Sequence, residues 1–160
     1  MRRQHGFTLI ELLITVAIIL VVAALAIPSL LRSRIAANES GAAAAMRMLN
    51  TAQISYNSTY PTVGFASTLG ALGGADCNPP TSAAACLIDT TLAAGTKSGY
   101  TFTLPSASVT SPPNTSYQFI AAPRVYNYDG LHYYCTYSDA VVRVTEVNIT
   151  SCDGTVAPLD

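Results

Sequence analysis

Residues 12–31, LLITVAIILVVAALAIPSLL, contain no charged side chain. Twenty helical residues at ~1.5 Å each reach roughly 30 Å, the thickness of a bilayer's hydrocarbon core. The run therefore reads as a membrane-spanning helix, with one acid, Glu11, just inside its N-terminal edge. A short basic leader, Met1-Arg2-Arg3-Gln4-His5-Gly6, precedes it. A secretory signal would place a small-residue cleavage site after its apolar run. Here Arg32-Ser33-Arg34-Ile35-Ala36-Ala37-Asn38 follows, with no turn residue and no A-x-A terminus, so the helix is expected to stay in the mature protein. Arg2 and Arg3 predict a cytoplasmic leader, a single pass outward, and everything after about residue 32 on the far side.

Helical periodicity continues past the membrane. Ile35, Ala42, Leu49 and Tyr56 recur every seven residues, with Ala45, Met46 and Ala52 between them, which makes an apolar stripe for a packed head. Arg32, Arg34, Glu39, Arg47 and Asn50 are expected on other faces of the cylinder. One helix is predicted from Phe7 to about Asn57. Pro28 lacks an N–H and crowds the carbonyl of Ala24, so a kink is expected there. Gly41 costs about 1 kcal/mol relative to alanine and reads as a tolerated defect.

Asn57-Ser58-Thr59-Tyr60-Pro61 ends the helix. Residues 62–98 are rich in Gly, Ala, Thr and Pro without sustained period, with a short helical candidate at 89–94. So long an irregular stretch must be held down by something. Alternating segments then appear at 100–104, 117–121, 132–137 and 141–145, separated by Pro112-Pro113-Asn114, Asp129-Gly130 and Ser138-Asp139. The fold class is α+β: a long N-terminal helix packed on a small four-stranded antiparallel sheet. The chain divides into a leader (1–6), a membrane or filament-core helix (7–31) and its amphipathic continuation (32–57). A helix-to-sheet loop region (58–98) and the sheet with its tail (99–160) follow.

Four cysteines, at 77, 86, 135 and 152, all follow the span. An even number in an exported region indicates two disulfides. Of three pairings, spacing favours Cys77–Cys86 and Cys135–Cys152. Zinc is the weaker reading, since no CxxC occurs and His132 is the only histidine beyond the leader. Loss of Arg2 and Arg3 with the leader leaves six basic against nine acidic side chains, a formal charge of −3. That argues against non-specific nucleic-acid binding. No catalytic constellation, haem motif or P-loop is present, so neither an enzyme nor a cofactor or small-molecule ligand is expected. Nine tyrosines, six of them between 117 and 137, read as ordinary strand residues. Four sequons occur, at Asn38, Asn57, Asn114 and Asn148. Asn114, placed in a turn, is the expected site if any carries a glycan.

Gly6-Phe7-Thr8-Leu9-Ile10-Glu11-Leu12 resembles the cleavage and methylation motif of type IV pilins and their pseudopilin relatives. The resemblance is specific over residues 1–60 and architectural beyond. It implies that a membrane peptidase cuts between Gly6 and Phe7 and that the new Phe7 amine is N-methylated. Subunits would then leave the inner membrane with the help of an assembly machine and polymerise into an extracellular filament. It also implies that the stretch around Pro28 extends or melts on packing. Within a membrane Glu11 costs about 2.5–3.5 kcal/mol at mid-bilayer and less near an edge, so it needs a partner. The Phe7 amine of its own or of a neighbouring subunit is the expected one, and the resemblance implies the neighbour. A pseudopilin of a type II secretion system and a non-polymerising single-pass anchored domain are the alternatives.

Overall fold

A computed structural model describes residues 6–74, 77–105 and 112–159. Helix α1 spans Leu9–Thr59, 51 residues, and runs through Pro28. Two single-turn helices follow, α2 (Leu69–Leu72) and α3 (Thr90–Ala93). Among the described residues five strands follow: β1 (Thr96–Lys97), β2 (Tyr100–Thr103), β3 (Gln118–Pro123), β4 (Tyr133–Tyr137) and β5 (Arg143–Thr145). They form one antiparallel meander in chain order. The chain forms two compact units, Met1–Arg34 and Ile35–Asp160.

In the first unit every described residue is exposed except half-buried Ala23. α1 contains an apolar window long enough to cross a membrane, none of it buried. Its hydroxyls turn inward on the helix: Thr15 Oγ1 donates to Leu12 O at 2.8 Å and Ser33 Oγ to Ser29 O at 3.1 Å. A helix without water around it must satisfy its polar groups this way.

The second unit is the head. Ala42, Ala45, Met46, Leu49, Ala52 and Tyr56 are all buried, so the seven-residue stripe does face a core, with Ile35 only half-buried at its start. The facing layer is Tyr100 and Phe102 of β2, Phe119 and Ala121 of β3, and Tyr134 of β4, in one continuous cluster. β2 alternates buried and exposed residues, as a sheet with one wet face should. β3 and β4 instead bury three residues in succession. The reason is the tail: Ile120 and Cys135, opposite each other across the strands, point to the outer face, where Cys152 covers them.

The sheet has five strands, not the expected four. The extra strand is β1, two residues long, joined to β2 through Ser98 (φ 50°) and Gly99 (φ 74°). Positive φ at both central residues gives the turn that matches strand twist. Two residues carry no alternation, so β1 left no periodic trace. Gly41 also changes meaning. A Cβ there would lie 2.6 Å from Ser98 Oγ, so glycine permits the helix to approach the β1–β2 turn.

The irregular segment after α1 is pinned at several points. Gln53, fully buried, donates from Nε2 to Ala66 O (3.1 Å) and accepts from Ala66 N (2.8 Å), copying a strand pair with a side chain. Tyr56 OH donates to Ser82 O at 2.6 Å. α2 and α3 are capped by Thr68 and Asp89, whose side chains accept from Ala71 N and Leu92 N. The Cys77–Cys86 disulfide (Cα–Cα 5.8 Å) closes the loop between them.

Candidate functional site

Gly6, Phe7 and Thr8 precede the helix in non-helical conformation. Phe7 is 83% exposed and no described atom crowds Gly6, so among the described residues nothing packs over the Gly6–Phe7 bond. Helix α1 starts two residues later than expected because Thr8 is its N-cap. Thr8 N donates to Glu11 Oε2 at 3.0 Å, Thr8 Oγ1 donates to the same oxygen at 2.8 Å, and Glu11 N donates to Thr8 Oγ1 at 3.3 Å. This is a reciprocal capping box, with the acid also favoured by the helix N-terminus. The Thr8-x-x-Glu11 spacing ahead of an apolar run was a readable signal for it.

Two consequences follow for Glu11. The box uses the N–H of Thr8, not that of Phe7, so a cut after Gly6 leaves it whole. It also occupies Oε2 alone: Oε1 takes no hydrogen bond among the described residues. The acid therefore closes its own helix start and keeps an oxygen for a further cation. The sequence reading assigned it only the second task.

Pro28 lies inside α1 and leaves the Ala24 carbonyl without its usual donor. An open groove beside it is lined by Ala26, Ile27, Ser29, Leu30 and Ser33. Small side chains on this face permit close approach of another helix.

In the head, two polar residues expected off the apolar stripe of α1, Asn50 and Glu39, form hydrogen-bonded hubs. Asn50, expected off the apolar stripe, is buried. Its Nδ2 donates to Thr136 Oγ1 (3.0 Å) and Ala140 O (2.9 Å), and its Oδ1 accepts from Tyr117 OH (3.2 Å). Burial pushes the Tyr117 phenol up to about 12, so it remains a neutral donor. Glu39 is likewise drawn in: one oxygen accepts from Leu131 N (2.8 Å), His132 N (3.2 Å) and His132 Nδ1 (2.9 Å). His132 thus ties the turn ahead of β4 to helix α1. Arg143 is clamped by both oxygens of Asp139 (3.1 and 2.6 Å) and lies over the Tyr137 ring at 4.4 Å.

Asn114, the sequon asparagine expected to carry any glycan, is turned into the folded head. Asn114 is 5% exposed and its Nδ2 donates to Phe65 O at 2.8 Å, while its backbone bridges Val63 and Phe65. In the folded head that nitrogen is already committed. The cysteines pair as Cys77–Cys86 and Cys135–Cys152, the latter with Cα–Cα 5.7 Å.

Residues 1–27 match the prokaryotic N-terminal methylation motif. That motif is the signature of type IV pilins and pseudopilins, and a long N-terminal helix packed on an antiparallel sheet stands behind it. No curated protein matches the chain.

Proposed function

We propose that this chain is a structural, non-catalytic type IV pilin: cleaved after Gly6, N-methylated at Phe7, and polymerised through its N-terminal helix. The observation that carries the reading is the pairing of the methylation motif at residues 1–27 with a helix start left unburied at every described position but one. A single subunit covers that surface only with lipid. Many copies side by side offer another dry environment, with heads outside. Lipid tails are as apolar as leucine, so the net drive is small and extraction from the inner membrane requires work from an assembly machine.

Glu11 Oε1 is the natural acceptor for the Phe7 amine of a neighbouring subunit, where low dielectric strengthens the attraction. The partners are thus other copies of the chain, a prepilin peptidase and the assembly machinery. The site of action is the cell surface, in adhesion, motility or DNA uptake. The motif serves pseudopilins equally, and the two disulfides of the head favour the pilus among these. Mass spectrometry of native protein is the test: a methylated Phe7 at the mature N-terminus supports the proposal, and an intact Met1 overturns it. Electron microscopy of long surface fibres containing this chain separates pilus from periplasmic pseudopilus.

A further inference from the structure

The four sequons are equal in sequence and unequal in the fold. Transfer of a glycan to asparagine requires an uncommitted amide nitrogen and the hydroxyl two residues on, presented together on surface loop backbone. Asn38 and Asn114 fail the first condition, since their Nδ2 atoms donate to Asp129 O (3.0 Å) and Phe65 O (2.8 Å). Asn57 fails the second. It lies in α1, and Thr59 Oγ1, its sequon hydroxyl, donates back to Ser55 O at 2.9 Å.

Asn148 meets both. It follows β5 in irregular backbone, it and Thr150 are exposed, and neither side chain makes a hydrogen bond among the described residues. The loop is nonetheless held in place. Val147 N donates to Thr145 Oγ1 (3.2 Å) on one side and Cys152 N to Gln118 Oε1 (3.0 Å) on the other. Ile149 packs inward on the Ile120–Cys135–Cys152 cluster, so its two neighbours are turned outward. Val147, 69% exposed beside them, is an apolar side chain that a saccharide would shade.

From this we infer that Asn148 is an N-glycosylation site, taking a saccharide from a polyprenyl-diphosphate donor on the exported side of the membrane. In the transfer a bond forms between Asn148 Nδ2 and the anomeric carbon, and the anomeric C–O bond breaks. Polyprenyl diphosphate leaves, and one amide proton passes to base. The inference rests on the proposed export of the head, but not on polymerisation.

The test is peptide mapping by mass spectrometry of native protein from the cells that make it. The expected result is a mass increment of at least one sugar on the peptide containing Asn148. That increment should be lost in Asn148→Gln and Thr150→Ala and kept in Thr150→Ser. Circular dichroism and intact disulfides confirm that the variants fold. An unmodified Asn148 peptide, or an increment that survives Asn148→Gln, overturns the assignment. The N-terminal peptide of the same digest reads processing at Phe7 separately, so failure here and failure of the pilin reading are distinguishable.

Discussion

Alanine occurs on both sides of Arg34, and its fate differs completely. Ala17, Ala24 and Ala26 are exposed, whereas Ala42, Ala45 and Ala52 are buried in the head. Helix propensity is identical in the two stretches, so propensity does not separate them. What separates them is a partner. Residues 35–59 find theirs in the sheet of the same chain, while residues 9–33 bury no side chain among the described residues. The first stretch is stabilised by folding; the second can be stabilised only by lipid or by another molecule.

The sharpest way to break this comparison is at Glu11. Glu11→Ala is expected to abolish or strongly reduce filaments seen by electron microscopy while the thermal unfolding of the head stays unchanged. Normal filaments from Glu11→Leu would remove the acid from any role in assembly.

The reverse variant lies in the head. Leu49 is completely buried, and Leu49→Ala should destabilise the head by about 2–5 kcal/mol in denaturant titration. Ile19→Ala, in the exposed stretch, should leave the same titration within about 0.5 kcal/mol of wild type. Equal effects from the two would dissolve the distinction between the halves of α1.

A smaller cost is expected where side-chain amides stand in for backbone. Gln53→Leu strands the N–H and C=O of Ala66 and should cost about 1–3 kcal/mol, with Ala66 losing hydrogen-exchange protection.

The smallest effect concerns pH. Burial opposes ionisation of Asp139, but hydrogen bonds from Arg143, Val141 N–H and Tyr137 outweigh it and hold its carboxyl below the usual range. A depressed folded-state value gives stability that is present above the unfolded carboxylate value and is lost as pH falls through the folded one. Asp139→Asn should therefore flatten the acid limb of the head's stability, by less than about 1 kcal/mol because Asp139 itself lies in water although Arg143 is buried. An unchanged acid limb would show that the clamp on Arg143 contributes nothing.

Much of the fold was legible because it is written in period. The seven-residue recurrence from Ile35 to Tyr56, the alternation of β2 and the neighbouring cysteines each state a local constraint that the structure meets. The capping box had its own signal in Thr8-x-x-Glu11, yet Glu11 was read only as the partner of a cation. Asn50, Gln53 and Glu39 were not legible. A polar residue at a helix position reads as exposed until a specific acceptor or donor stands opposite it. Those partners, Thr136, Ala66 and His132, lie 86, 13 and 93 residues away.

By itself the sequence determined that this protein has a greasy, singly charged helix start and four cysteines, enough for two covalent closures, confined to the head. Charge-free length and cysteine number are properties of composition, and no packing can alter them. Only the tertiary structure decided that β1 exists, that Gly41 is a point of close approach, and which asparagines keep their amides free. Each of those depends on atoms distant in the chain meeting within a few ångströms, and local pattern carries no record of such meetings.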